Sequence, residues 1–227
     1  MSPKLSFVMP THNRIEWMPA CLESLLNQTE QDIEIIVVND NSDDGTKEFL
    51  DEYAKKDARV IVVHNSANQG GGRSRNIGMK CASAPIICVC DDDDSYPDDR
   101  AAVTLRWFEE NPQSELVNFP YIRIGYFDEH LEPFFGSKFD EEAYKKDGTI
   151  NYFCNPSVAY KTASGLEVGG YPPETKEMTD DVQFVKNWIN AGKKIDFDNR
   201  AFACLHRVLP SSMMVKQRGW SPDWVSK

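Results

Sequence analysis

Short apolar runs alternate with amphipathic segments through the first half of the chain. Leu5 to Pro10 (LSFVMP), Ile33 to Asp40 (IEIIVVND), Arg59 to Asn65 (RVIVVHN) and Pro85 to Asp91 (PIICVCD) predict four strands. Three of them have the near-continuous Val/Ile character of strands covered on both faces. Between them Ile15, Met18, Leu22 and Leu25 recur at helical spacing, as do Phe49 and Tyr53, and more loosely Ile77 and Met79 after Gly72. A fourth helix follows Pro97, carries Val103, Leu105, Trp107 and Phe108, and stops at Asn111-Pro112. Four βα repeats predict an α/β fold with a doubly wound, mostly parallel sheet. Ligands of such sheets bind beyond the carboxyl ends of the strands, where Asp40 and the run Asp91 to Asp94 fall.

After about Ser114 the pattern loosens. LVNFPYIRIGYFD predicts one long strand or a bent hairpin, and SVAYK another short strand. A Gly/Pro-rich passage, GLEVGGYPPET, precedes a helix begun by Thr179, with Val182, Val185, Trp188 and Ile189 as its apolar stripe and Gly192 as its stop. No internal repeat, low-complexity segment or linker interrupts the chain.

Composition narrows the classes. With 227 residues and 41% hydrophobic content the chain can bury a sizeable core as one large domain or two closely packed lobes. Its net charge of −11 disfavours nonspecific attraction to nucleic acid or an anionic membrane, and a bound cation would relieve part of it. The chain does not open on a signal-peptide pattern and has no apolar run long enough to span a bilayer, so a soluble cytoplasmic protein is expected. Six cysteines without a CxxC pair are expected to be buried reduced thiols. No GxSxG elbow is present, which counts against that class of hydrolase.

The strongest chemical signal is CVCDDDDSYP, four carboxylates in a row directly after an apolar strand. Unit charges about 4 Å apart repel by roughly 4 kcal/mol at an effective dielectric near 20, so something should neutralise them. If the chain is still extended there, Asp91 and Asp93 point to one side and Asp92 to the other, and one pair can coordinate Mg²⁺ or Mn²⁺. The bland alternative is a solvated acidic loop. After the second strand, NDNSDDGT offers Asp40 to a nucleoside base or ribose, with Ser42 or Asp43 capping the next helix. The loop NQGGGRSRNIG opens a helix and suits an anionic ligand through its accessible N–H groups and the guanidinium groups of Arg73 and Arg75, or is an ordinary flexible turn. Asp180 and Asp181 begin the helix after Thr179, where carboxylates are common simply because they favour the helix dipole. The histidines form no HxH or HExxH cluster; His206 is the one considered as a metal ligand.

Taken in order, PTHNR, SLLNQT, IEIIVVNDNSDDGT, the NxGGxxxRNxG-like loop, CDDDD with PDDR, NPSVAYK, GGY and TDDVQFVKNW resemble the inverting family-2 glycosyltransferases of GT-A fold, from about Leu5 to Ile195. The resemblance implies a Rossmann-like, mostly parallel sheet with a smaller mixed acceptor-side half. Residues 1–112 would then bind the nucleotide sugar and residues 113–227 the acceptor and catalytic base, packed as one continuous domain. It implies donor contacts from Pro10, Thr11, Asn13, Arg14, Asp40, Arg75, Asn76, Asp91 and Asp92. The DxD-like aspartates Asp91, Asp92 and Asp93 would bind a divalent cation, Mn²⁺ or Mg²⁺, with the choice of which two of the four in the run hold it left open, and Asp181 would be the general base. Beside the resemblance, Asp91 and Asp93 with His206 are the metal ligands the residues themselves suggest.

The implied reaction moves a sugar from a nucleotide sugar, a UDP-sugar, to an acceptor hydroxyl with inversion by direct displacement, in polysaccharide or glycan synthesis. Arg75 and the metal would stabilise the leaving diphosphate. The acceptor, a sugar, glycan or lipid-linked glycan that could bring the protein to the membrane periphery, would lie near NPSVAYK, Gly169, Gly170, Tyr152, Phe153 and Tyr171. Competing readings are a nucleotidyltransferase on a related sheet and a nucleotide-sugar-binding protein without turnover. Asn39 and Asn41 stand where Asp and Gly are common, and Asn tolerates the left-handed backbone such a turn requires.

Overall fold

A computed structural model of the chain describes residues 2–125, 130–134, 140–147, 150, 154–175 and 178–209. The four predicted strands form as β1 (Leu5–Thr11), β2 (Ile33–Asn39), β3 (Val60–His64) and β4 (Ile86–Val89), each followed by a helix: α1 (Met18–Leu26), α2 (Thr46–Lys56), α3 (Gly71–Cys81) and α4 (Arg100–Glu110). All seven positions of β1 and of β2 are buried, as the continuous apolar runs require. Successive side chains alternate between two cores. Leu5, Phe7 and Met9 join Leu22, Leu25, Leu50 and Phe108 on the face covered by α1, α2 and α4. Val8, Ile36 and Val38 join Met79, Phe184 and Trp188 on the other face.

The remaining elements are β5 (Leu116–Asn118), β6 (Tyr121–Ile124), β7 (His130–Phe134), α5 (Glu141–Asp147), β8 (Val158–Lys161), α6 (Thr162–Glu167), α7 (Asp180–Asn190), β9 (Ile195–Phe197) and β10 (Leu205–Arg207). One seven-stranded sheet has the order β3-β2-β1-β4-β8-β5-β9, and a three-stranded sheet has the order β10-β6-β7. The four βα strands run parallel, while β8 is antiparallel to both neighbours. The order 3-2-1-4 reverses between β1 and its two neighbours, which opens a crevice at their carboxyl ends. The main sheet takes strands from both halves of the sequence.

Three expectations need correction. The described part of LVNFPYIRIGYFD, residues 116–125, is not one continuous strand: it divides at Phe119-Pro120 into β5 of the main sheet and β6 of the smaller one, and residues 126–128 lie outside the described residues. Pro120 has no N–H to continue the ladder. The helix after NDNSDDGT is capped by neither Ser42 nor Asp43; Gly45, at φ 95°, holds the cap position, and Asp44 accepts from the Thr46 N–H at 3.0 Å and hydroxyl at 2.6 Å. Five of the six cysteines are buried as free thiols, but Cys81, at the end of α3, is exposed.

Pro10 sits in a strand with neighbours on both sides, a position that ordinarily forbids it. The pairing with β4 ends at Val8, and the Cys90 N–H already satisfies the Val8 carbonyl at 2.9 Å, so Pro10 lies beyond the ladder on that side. Gln28 of SLLNQT is 1% exposed and joins the end of α1 to the start of α4, donating to the Pro97 carbonyl at 2.6 Å and accepting from the Ala101 N–H at 2.8 Å. Among the described residues no helix is long and apolar enough to cross a membrane.

Candidate active site

The crevice at the carboxyl ends of β1, β2 and β4 receives three loops. The loops after β1 and β2 are tied together: the Asn13 N–H donates to Ser42 Oγ at 3.0 Å, the Asp43 N–H to Asn13 Oδ1 at 2.9 Å and the Ile15 N–H to Asp44 Oδ2 at 3.0 Å. Asn13 and Asn41 have φ of 53° and 62°, the left-handed backbone that asparagine tolerates. Thr11 is buried at the end of β1, and Arg14 Nε lies 3.8 Å from Asp92 Oδ1.

Asp40, expected at a nucleoside, is 3% exposed and already occupied. Its carboxylate accepts from Asn65 Nδ2 at 2.7 Å, from the Gln69 N–H at 2.9 Å and from the Gly70 N–H at 2.7 Å. The anion cradled by the Gly-rich loop is therefore one of the protein's own carboxylates. Asn76, also expected at the donor, spends both polar ends on the Tyr171 backbone, donating to its carbonyl and accepting from its N–H at 2.7 Å each. Gly170, at φ 68°, is required there, because a Cβ would come within 2.3 Å of Asn76 Oδ1.

The acidic run is a turn and not an extended strand. β4 ends at Val89, and Asp92 and Asp93 form the turn, so the alternation assumed for Asp91 and Asp93 does not apply. The turn is fixed from two sides. The Tyr96 hydroxyl accepts from the Asp91 N–H at 2.8 Å and donates to its carbonyl at 3.2 Å. From β10, the Arg207 N–H donates to Asp94 Oδ1 at 2.8 Å and its Nε to the Asp93 carbonyl at 2.9 Å, while the guanidinium lies 4.4 Å over the Trp17 ring.

Three of the four carboxylates meet cations of the chain itself. Asp91 pairs with Arg75 Nη2 at 2.6 Å, Asp92 faces Arg14, and Asp94 holds His206 Nδ1 at 3.1 Å. Burial pushes the Asp92 carboxyl up to about 6, with the Thr11 hydroxyl and Arg14 pulling the other way. Burial would lower the His206 imidazole, but Asp94 beside it raises it to about 9. His206 thus serves first as the cationic partner of Asp94, and only a deprotonated Nε2 is left to meet a metal. Asp93 is pushed well above the usual carboxylate range by burial and then by Asp94, Asp92 and Asp91 around it.

A cation in this crevice fits that imbalance, since Asp93 is the carboxylate with the least compensation. Among the described residues no group of three or more His, Cys, Asp or Glu side chains is placed to hold a metal. A Mg²⁺ or Mn²⁺ site would be held by one or two carboxylates, Asp93 with Asp91, and completed by phosphate oxygens of a ligand.

The far wall is the start of α7. Asp181 Oδ1 accepts from the Thr179 hydroxyl and from the Val182 N–H at 2.8 Å. Asp180 Oδ2 pairs with Arg75 Nη1 at 3.2 Å. Arg75 is consequently shared between two carboxylates, and with the Asn155 amide turned oxygen-inward its Nε donates to Asn155 at 2.8 Å. These partners, with Tyr171 at 5.6 Å from its guanidinium carbon, keep it largely buried and occupied, where direct contact with a leaving diphosphate had been expected. Sequence reasoning missed Asn65 and Arg207, which carry no spacing signal; Tyr96, Asn155 and Asp180 stood in motifs it singled out, CVCDDDDSYP, NPSVAYK and TDDVQFVKNW, without the contacts they make here. Of the expected acceptor-side residues, Tyr171 is buried against Phe184 with ring centroids 4.1 Å apart, and Tyr152 and Phe153 lie outside the described residues.

Residues 6–167 match the family model described as Glycosyl transferase family 2. A segment of 116 residues is 40% identical to the uncharacterized glycosyltransferase EpsJ of Bacillus subtilis (strain 168), covering 51% of this chain and 33% of that protein. S. aureus TarS residues 1–349, solved in complex with UDP-GlcNAc, superposes with a TM-score of 0.73 at 20% identity, over 93% of this chain and 60% of the other. The mannosyltransferase PcManGT of Pyrobaculum calidifontis, solved with GDP-Man and Mn²⁺, gives 0.71 at 17% identity, over 95% and 60%. The chain thus spans about a third of that curated relative and about 60% of the two solved chains. These likenesses show that the fold is GT-A, and the family model, matching well over half of the sequence, shows that the chain belongs to glycosyl transferase family 2.

Proposed function

We propose that this chain transfers a sugar from a UDP-sugar to an acceptor hydroxyl, with inversion by direct displacement, in the synthesis of a polysaccharide or related glycan. The observation that carries the reading is the meeting, in one crevice, of the buried acidic turn, the loops after β1 and β2, and the paired carboxylates at the start of α7. Residues 1–112 would hold the donor, and the later half would supply the base and acceptor surface.

A divalent cation, when bound, would neutralise the donor diphosphate and its leaving charge. Asp93 and Asp91 are the residues to hold it, with Arg14 near Asp92 as the accessible guanidinium on the donor side. Thr11 and Asn13 border the nucleoside position. Asp181 takes the acceptor hydroxyl proton as that oxygen attacks the anomeric carbon, an effect typically worth about 10² to 10⁴ in rate. TarS, solved with UDP-GlcNAc, supports uridine as the donor's nucleoside, while the GDP-Man complex of PcManGT makes guanosine the competitor to test against. A lipid-linked acceptor would bring the protein to the membrane surface.

A nucleotidyltransferase fits less well, because its Gly-rich loop should follow β1, whereas here it follows β3 and is occupied by Asp40. Calorimetry with UDP, GDP and Mn²⁺ tests the donor: UDP should bind, and more tightly with Mn²⁺, and binding without any metal dependence would remove the cation from the reading. Release of UDP from a panel of UDP-sugars, with and without glycan acceptors, tests turnover. Asp181→Asn should retain UDP affinity and lose transfer.

A further inference from the structure

The first turn of α7 carries two carboxylates, and the proposed reaction uses only Asp181. Asp180 is not a solvated cap. Its Oδ2 pairs with Arg75 Nη1 at 3.2 Å, its Oδ1 accepts the Asp181 N–H at 2.9 Å, and its side chain is only 16% exposed. The first turn of α3, the helix that also carries Arg75, closes on it as well: a Cβ at Gly72 would lie 2.5 Å from Asp180 Oδ2 and 2.9 Å from its Cβ. A residue that only favoured the helix dipole would need neither the ion pair nor a glycine against it. Arg75 in turn reaches Asp91 at 2.6 Å. A continuous path therefore runs from the acidic turn through Arg75 and Asp180 to the backbone that carries Asp181.

We propose that Asp180 is a positioning residue for the transfer, fixing the first turn of α7 and with it Asp181 against the donor-binding turn through Arg75. It touches neither donor nor acceptor. This rests on the reading of Asp181 as the base, and it adds a reason for the third glycine of NQGGG: a side chain at position 72 would push Asp180 off Arg75.

A double-mutant cycle of Asp180→Asn and Asp181→Asn decides the matter, with UDP affinity in Mn²⁺ and kcat of UDP release in the presence of acceptor as the two readouts. Asp180→Asn should lower kcat roughly 10- to 100-fold, the cost of misplacing a catalytic group by about an ångström, and leave UDP affinity within about threefold. Added to Asp181→Asn it should change kcat by less than about twofold, because the residue acts through the one already removed. Asp180→Glu, which restores the charge, should recover part of the loss. Equal losses of kcat and UDP affinity, or effects that multiply across the cycle, would overturn the proposal while leaving Asp181 as base. Wild-type turnover by Asp181→Asn alone would overturn the base assignment and this inference with it. Should Asp180→Asn fail to fold, Gly72→Ala decides: kcat should fall with UDP affinity kept, and an unchanged kcat would overturn the proposal.

Discussion

Asp40 accepts from two consecutive backbone N–H groups and a side-chain amide, and hydrogen bonds to a charged acceptor are each worth about 1.5–3 kcal/mol. Asn at this position would turn a donor toward one of those N–H groups. Asp40→Asn is expected to cost about 2–4 kcal/mol of stability, an estimate built on that per-bond value, and to lower the urea midpoint accordingly. An unchanged midpoint would mean that the carboxylate does not hold the loop. The position of Asp40 at the crevice was legible in the sequence, because a strand end is set by hydrophobic pattern. Its partners were not, since Asn65, Gln69 and Gly70 follow the next strand and meet it only when β2 and β3 pair. The same holds for the acidic run. Its burial was legible from the apolar lead-in, but the cations that answer it come from α3, from the loop after β1 and from β10.

Helix α3 lies on the sheet through Gly78, where a Cβ would come within 2.5 Å of Val8 Cγ1 and 3.3 Å of Val38 Cγ2. Gly78→Ala should therefore destabilise by about 1–3 kcal/mol through overpacking, although alanine is the better helix former, and thermal unfolding measures the sign. At the other end of the sheet, Glu115 joins Lys193 at 2.7 Å and Ser164 at 3.0 Å, linking β5, α6 and the turn before β9. The hydrogen bond from Lys193 is the main cause that lowers the Glu115 carboxyl below its ordinary 4.5. A depressed carboxyl contributes its full stability above that ordinary value and loses it as pH falls on through the lowered value it has in the fold. Glu115→Gln should thus cost about 0.5–1 kcal/mol at pH 7, as expected of a partly exposed pair, and progressively less as acid protonates the carboxyl; denaturant midpoints measured at pH 7 and through an acid series check this. Long periodic elements such as α4 and α7 were legible, whereas β9 and β10, of three residues each, are too short to show a period. Proline at 120 was the one readable sign that the run from Leu116 to Ile124 changes sheets.

At the scale of the molecule, two sources of negative charge must meet. The chain carries −11, its crevice gathers four consecutive carboxylates and the pair on α7, and the proposed ligand brings a diphosphate. Arg75 and His206 are already paired with carboxylates, so the metal-free crevice offers phosphate little uncompensated positive charge. UDP should then bind weakly without a divalent ion, and the repulsion should be screened as ionic strength rises and the Debye length shrinks from about 10 Å at 0.1 M toward about 3 Å at 1 M. With Mn²⁺ present the dominant contact is attraction between opposite charges, which salt weakens. The salt dependence of UDP affinity should accordingly invert, rising with NaCl in EDTA and falling with NaCl in Mn²⁺. Isothermal titration at about 0.05 and 0.5 M NaCl reads both slopes, one on each side of the 0.1 M reference length. A falling affinity in EDTA would show that the phosphates meet guanidinium groups directly, Arg14 first, and that the acidic turn does not repel the donor.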